Sequence, residues 1–329
     1  MRVLLTGATG FIGSHILRAL TDRGDAVRCL ARDPARLAAP EGADVEVVEG
    51  DLRQATTVAR AVAGCRTVYH CAADYRLYVR RPADLYESNV DGTHNVLAAA
   101  AAHGVERVVY TSSVGALGRN ADGTPADEDT PVTLENMVGH YKRSKFLAER
   151  VADEWFARGL PVVIVNPSTP VGEGDVRPTA TGRMILDFIN GQVPAYVDTG
   201  LNLIDVRDVA AGHLLAAEKG RPGEKYILGH RNMSLREIYR SLAAIAGLSE
   251  PRVRLPHLVP LAYAAVDTLV ARLLHREPRV ALDSVRLARH KMYFSSVRAV
   301  RELDLPQTPV EEPLTRAVEW FRNHGYVKE

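Results

Sequence analysis

Tyr141 and Lys145 stand four residues apart in a segment with helical apolar spacing, so both side chains project from one face of the expected helix. An ammonium beside a phenol stabilises the phenolate and lowers a pKa of about 10, which lets the tyrosine exchange a proton with a substrate oxygen near neutral pH. Ser113 ends the run Tyr110-Thr111-Ser112-Ser113, where a hydroxyl can orient a reacting carbonyl; Ser112 is the neighbouring alternative. Tyrosine and lysine at this spacing also describe many exposed helix pairs. The order along the chain discriminates: a glycine loop first, strand-end serines second, the Tyr/Lys pair third. His140 falls elsewhere around the helix and reads as surface, and the histidines show no metal-ligand spacing, so no metal is expected.

The glycine loop is Thr6-Gly7-Ala8-Thr9-Gly10-Phe11-Ile12-Gly13, with an apolar strand before it and a helix-periodic segment, 14–20, after it. A strand-to-helix turn without Cβ atoms lets the backbone approach a pyrophosphate, held by free N–H groups and the positive end of the helix dipole. Gly7, Gly10 and Gly13 therefore point to a dinucleotide. Its type is read at the end of the second strand, Leu30-Ala31-Arg32-Asp33. Arg32, with Arg36 as helper, offers a fork to a 2′-phosphate, and the position where a carboxylate would accept from ribose hydroxyls is Ala31, so NADP(H) is favoured over NAD(H). The alternative leaves Arg32 solvated and Asp33 capping a short helix at Pro34. Asp51, after the third strand, is placed to meet the adenine edge or simply to shape a turn.

The elements that must position these residues alternate. Apolar runs at 3–5, 27–30, 45–48, 67–71, 107–110 and 162–165 are strands of a parallel sheet, several of them continuous Val/Ile/Leu as expected when both faces are covered. The fold class is α/β, a doubly wound parallel sheet (Rossmann) with a smaller C-terminal substrate-binding region. Residues 1–167 form the dinucleotide-binding domain, 202–228 return to it through a helix at 206–219 and a strand at 225–228, and 168–201 with 229–329 form the smaller region. Helices are expected there at 234–246, 258–275 and 314–324. Residues 118–135 are polar and too long for an ordinary connection, which suggests a functional loop.

Composition narrows the classes further. Lysine plus arginine number 41 against 40 acidic residues, a balance that argues against a nucleic-acid partner. Three cysteines without a CxxC pair suggest neither a disulfide framework nor a zinc site, and the N-terminus opens on a strand and not on a secretory signal, so a cytoplasmic location is expected. The longest apolar stretch, 258–266, is followed by Asp267, well short of the ~20 residues of a transmembrane segment.

With these motifs in place, the chain resembles the extended short-chain dehydrogenase/reductases over essentially its full length. Gly7-Ala8-Thr9-Gly10-Phe11-Ile12-Gly13 resembles their glycine motif, His70-Cys71-Ala72-Ala73 their fourth-strand motif, Asn89-Val90-Asp91-Gly92-Thr93 their helix-four motif, and Ser113, Tyr141 and Lys145 their triad. The resemblance implies cofactor contacts at Thr9, Phe11, Ile12, Leu52, Ala72, Ala73 and Pro167, and a nicotinamide-ribose contact at Lys145. The stretch 27–34 looks like the dihydroflavonol-reductase branch, whose members use NADPH through that arginine. Blocks at 72–77, 139–145, 165–170 and 194–203 resemble the bacterial family known as hopanoid-associated sugar epimerases. Against nucleotide-sugar chemistry, Asn166-Pro167-Ser168-Thr169 stands where such epimerases carry Arg-Tyr-Phe-Asn.

Three functions follow as expectations: an oxidoreductase acting on a carbonyl or secondary alcohol, an epimerase on a retained cofactor, or a cofactor-binding regulator without turnover, which the intact triad disfavours. The substrate is a small or lipid-like molecule. The all-round apolar helix at 258–275 either packs on the domain core or forms a dimer contact, or it lines an entrance for a lipid-like substrate, with Tyr75 and Tyr78 as aromatic contacts and Arg80 or Arg81 meeting polar groups. Helices around 95–102 and 145–156 offer a homodimer face.

Overall fold

A computed structural model describes residues 2–76, 79, 81–274 and 282–327. Tyr78, Arg80 and the end of the expected helix at His275 lie outside the described residues. The first half of the chain holds β1 (Arg2–Thr6), α1 (Phe11–Asp22), β2 (Ala26–Ala31), β3 (Val45–Glu49), α2 (Ala55–Val62), β4 (Cys65–His70), α3 (Pro82–Tyr86), α4 (Gly92–Ala102), β5 (Arg107–Thr111), α5 (Gly139–Ala157) and β6 (Val162–Pro167). The second half holds β7 (Thr169–Val171), α6 (Ala180–Ile189), β8 (Ala195–Val197), β9 (Gly200–Asp205), α7 (Val206–Lys219), β10 (Lys225–Leu228), β11 (Arg231–Ser234), α8 (Leu235–Ala246), β12 (Val253–Leu255), α9 (Leu258–Leu273), α10 (Leu282–Leu287), α11 (Val297–Leu303) and α12 (Glu311–Asn323).

Seven strands form one parallel sheet in the order β10-β6-β5-β4-β1-β2-β3. It is the Rossmann-type doubly wound sheet. Strand side chains alternate between two cores: Leu5, Val109 and Val163 meet Ile16, Leu17 and Val209 of α1 and α7 on one face, while Leu4, Val108 and Ile164 meet Val58, Val96 and Ala148 of α2, α4 and α5 on the other. That double burial is why β6 is an unbroken Val-Val-Ile-Val. The order reverses between β1 and β4, which opens a crevice at their carboxyl ends, where such sheets bind ligands.

A third core lies outside the sheet. Here β7, β9 and β11 pair, and Leu203, Ile185, Phe188, Ile238 and Phe321 of β9, α6, α8 and α12 pack together. Helix α8 has local punctuation that fixes its ends: a capping box between Ser234 and Glu237 begins it, and Gly247 at φ +71° stops it. The long polar stretch 118–135 is a fastened strap. Glu128 accepts from the Ile227 N–H at 2.8 Å, Arg298 bridges Glu128 and Asp129, and Ala126 exchanges backbone hydrogen bonds with Tyr293 and Ser295.

Candidate active site

The crevice begins where β1 meets α1. Gly7 adopts φ +81°, and a Cβ there would lie 2.7 Å from the Ala72 nitrogen, so the loops after β1 and β4 touch. A Cβ on Gly13 would come within 2.0 Å of the Gly7 oxygen, which closes that position to any other residue. Helix α1 starts after Gly10 without a side-chain cap, so the N–H groups of Phe11, Ile12 and Gly13 are open to an anion, with exposed Thr9 beside them. The cradle fits a pyrophosphate.

A buried polar chain stiffens the crevice floor. The Ala72 N–H donates to Thr6 Oγ1 at 3.1 Å, leaving the threonine hydroxyl to donate to His70 Nδ1 at 2.8 Å. His70 Nε2–H then donates to Thr93 Oγ1 at 3.0 Å, and that hydroxyl to the Asn89 carbonyl. Burial drives the His70 pKa down to about 3, helped by the charge of Lys145, so the imidazole is neutral and structural. Asn89 sits in a π-helical turn, Glu87–Asp91, that turns its amide toward the Asp74 carbonyl and Ser144 Oγ, tying the segment after β4 to α5.

At the far end of the crevice, β2 stops at Ala31 and Arg32 is exposed just beyond it. No acidic side chain occupies the strand end. Asp33 heads the short 3₁₀ turn Pro34–Arg36 but makes no capping hydrogen bond. Asp51 is engaged in its own turn: both carboxylate oxygens bind Arg53, which holds it below its usual pKa, with a further contribution from the charge of Arg32. Leu52 packs against Gly92 at the start of α4, one turn from the Asn89 network.

The three residues expected to do chemistry come together at the carboxyl ends of β5 and β6. Ser113 accepts from the Gly115 N–H at 3.0 Å and lies near enough to the Tyr141 phenol to oppose the rise in its pKa. Ser112 points the other way and donates to buried Glu149, so Ser113 alone of the pair faces the tyrosine. Lys145 is buried beside them, its ammonium donating to the Thr111 carbonyl at 2.8 Å and to Tyr110 Oη at 3.2 Å. The expected lowering of the Tyr141 pKa by Lys145 is corrected here. Burial raises the phenol, Ser113 alone opposes that, and the lysine spends its hydrogen bonds on the end of β5. Burial also lowers Lys145 itself, to about 8.

Glu149 was not singled out from the sequence, although it continues the 141/145 spacing by one more turn of α5. Its carboxylate accepts from Ser112 Oγ, from Asn166 Nδ2 at 2.9 Å and from Lys225 Nζ at 2.6 Å. Asn166 also donates to the Ser113 carbonyl at 3.1 Å, which locks the ends of β5 and β6 together behind the serine. Pro167 ends β6, and Ala72 and Ala73, half-buried, follow β4. Tyr75 is half exposed across the mouth, in the fields of Asp175 and Arg177 from the 172–177 loop and of Arg36 from the cofactor side. His140 is exposed, as read, and meets Tyr86 Oη at 3.1 Å. Among the described residues no group of His, Cys, Asp and Glu is arranged to hold a metal, and no helix is long and apolar enough to cross a membrane.

Residues 3–229 match the NAD dependent epimerase/dehydratase family. The chain belongs to that family. It is therefore an enzyme of the extended short-chain dehydrogenase/reductase type that works with NAD(P). A Synechocystis sp. protein with the provisional name dihydroflavonol 4-reductase is 46% identical over 98% of this chain and 95% of its own. Sterol demethylase protein B of Methylococcus capsulatus is 36% identical over 99% of this chain and 100% of its own. Among solved structures, the crystal structure of gox2253 superposes with a TM-score of 0.87 at 44% identity, covering 99% of each chain. The resemblance to the dihydroflavonol-reductase branch is consistent with these relatives.

Proposed function

We propose that this enzyme is an NADPH-dependent reductase of a carbonyl carried on a largely apolar substrate. The neighbouring Ser113 and Tyr141 hydroxyls beside the Gly7–Gly13 cradle carry the reading: they would present two hydroxyls to one substrate oxygen at the edge of a dinucleotide site. The bound cofactor supplies the hydride. Tyr141 delivers its proton to the carbonyl oxygen while Ser113 donates to the same atom. Lys145, hydrogen-bonded to the Thr111 carbonyl and Tyr110 Oη at the carboxyl end of β5, would take the nicotinamide ribose hydroxyls. Arg32, beyond a strand end that has no carboxylate, favours the 2′-phosphate.

In this reading residues 1–167 with 202–228 hold the cofactor, and 168–201 with 229–329 hold the substrate. The apolar part of the reading rests on α9. Leu258, Val259, Tyr263, Val266 and Leu269 are each more than half exposed, while the face turned inward is Ala264, Asp267 and Ala271. A sterol-directed name on one relative agrees with an apolar substrate. The test is an assay of the purified protein with NADPH and a set of steroid and terpenoid ketones. Stoichiometric loss of nicotinamide absorbance supports the reductase; product without that loss identifies an epimerase, and tight cofactor binding with no product identifies a regulator.

A further inference from the structure

Helix α5 carries a second buried lysine that the triad does not use. Lys142 is 8% exposed, and among the described residues its ammonium's one hydrogen-bond partner is Met292 Sδ, at 3.8 Å. Arg119, at the start of the strap, has a buried Nη1 with no partner. His257, before α9, has a buried Nδ1 with no partner, its Nε2 being hydrogen-bonded with the Asp198 carbonyl at 3.1 Å. His290, two residues from Met292 and exposed, completes the group: besides burial, the charges of Arg119, Lys142, Arg289 and His257 press its pKa down. The nearby carboxylates are engaged, Asp198 with Arg254 at 2.7 Å and Asp283 with Arg286 at 3.3 Å. Among the described residues no acid pairs with Lys142 or Arg119.

The cluster borders the reactive hydroxyls. A methyl group placed on Gly115 would meet Ser113 Oγ at 3.2 Å and Lys142 Cγ at 3.7 Å, so the two side chains flank one glycine. Four separate segments converge here, and each brings a nitrogen. Burying cations without a counter-charge is costly, and folded chains avoid it unless a ligand completes the site. An arginine fork beside a lysine suits the oxygens of an anion better than any neutral group.

We propose that Arg119, Lys142, His257 and His290 form an oxyanion subsite that takes a carboxylate or phosphate group of the substrate next to Ser113. The proposal rests on reading Ser113 and Tyr141 as the reacting pair, and it defines the substrate class as an amphiphile: an apolar body against α9 and an anionic group near the carbonyl.

The experiment titrates inorganic phosphate, benzoate and methyl benzoate by calorimetry into the NADPH-saturated protein, its Arg119→Gln variant and its Lys142→Met variant. The expected result is saturable one-site binding of phosphate or benzoate, at least tenfold weaker in either variant, with methyl benzoate also at least tenfold weaker and NADPH affinity equal in all three proteins. Tighter phosphate assigns a phosphate group; tighter benzoate assigns a carboxylate. Absence of saturable anion binding, or binding that both variants keep, overturns the subsite while leaving the reductase reading intact. Failure of NADPH to bind overturns that reading, and the anion titrations then still report on the cluster through the two variants. Lys142→Met preserves side-chain length, so it carries the test if Arg119→Gln does not fold.

Discussion

Two buried charges two turns apart on α5 are treated in opposite ways. Burial pushes the Glu149 carboxyl upward, yet Lys225, Ser112 and Asn166 together hold it below the usual carboxylate range. Lys142 is nearly as buried, but burial and the like charge of Arg119 act together and bring it down to about 8. On the cofactor side polar groups close on one another, as in the chain Ala72–Thr6–His70–Thr93–Asn89. Unpartnered buried atoms occur on both sides, Arg150 Nε and Asn166 Oδ1 beside the sheet and Arg119 Nη1, Ser168 Oγ, Asp175 Oδ1 and His257 Nδ1 on the substrate side. A self-satisfied network is rigid and has one arrangement. Unspent hydrogen-bonding capacity next to Ser113 is what distinguishes the Lys142 cluster from the Glu149 network.

The largest effect expected is at the junction of the two regions. Tyr141→Phe removes the transferable proton and little else, so turnover should fall by about 10²–10⁴-fold, as for the loss of a general acid, while NADPH binding stays within twofold. Steady-state rates with cofactor titrations check this. Retention of more than about a tenth of the activity, a barrier change under ~1.4 kcal/mol, would remove the proton-transfer role.

The comparison itself is tested by folding stability. Glu149→Ala leaves Lys225, Ser112 and Asn166 without their acceptor in a buried site and should cost about 3–5 kcal/mol in urea unfolding. Lys142→Met should cost nothing and stabilise the protein, because it deletes a buried charge that has no counter-charge. The pH dependence gives its sign. A lysine at 10.5 when unfolded and about 8 when folded binds fewer protons in the native state between those values, so its share of stability rises with pH across that window by about 1.4 kcal/mol per unit. Cys29 and Cys71, pushed up by burial to about 12 and about 11, act in the opposite sense, so the readout is the difference between the variant and the wild type. Equal losses for Glu149→Ala and Lys142→Met would dissolve the distinction.

How much of this was legible in the sequence follows the same division. Strand periodicity, the glycine spacing and the order Ser113, Tyr141, Lys145 are local or near-local patterns, and the sheet is where the apolar runs put it. Glu149 shared the helical spacing and was overlooked because a lone glutamate on a helix reads as solvated. Its burial follows from Lys225 and Asn166 arriving from β10 and β6. Lys142 sat beside Tyr141 in the sequence with nothing to mark it. Only the fold brings Arg119, His257 and His290 to it, and no spacing rule reaches across those separations. The strap at 118–135 was expected as a functional loop; its anchoring through Glu128 and Arg298 depends on a helix more than 160 residues further on.

A smaller effect belongs to the cofactor end. Arg32→Ala should lower the ratio of NADPH to NADH affinity by about 1.5–3 kcal/mol, the value of a charge-assisted hydrogen bond, with NADH binding nearly unchanged because Arg32 is exposed and carries no packing. Fluorescence titrations of both cofactors check it. Equal losses for the two, or a wild-type preference for NADH, would show that the solvated face of β2 plays no part in the choice.

The smallest change in stability is expected on α9, where large apolar side chains are turned outward and Ala264, Asp267 and Ala271 inward. Leu269 is 60% and Val266 62% exposed, whereas Leu261 is half-buried, so the first two positions report on the surface without disturbing the packing beneath. Leu269→Asp and Val266→Asp should each shift unfolding free energy by no more than about 0.5 kcal/mol, the range for exposed substitutions. If this face receives an apolar substrate, losing part of a leucine's worth of contact, about 1.5–3 kcal/mol when fully buried, should raise KM for a steroid-like ketone by on the order of tenfold. KM for a small soluble ketone should stay the same. A loss of equal size for both ketones would place the effect at the reacting pair. A change in particle size on gel filtration, with both KM values untouched, would assign the exposed face to a protein contact in place of a substrate entrance.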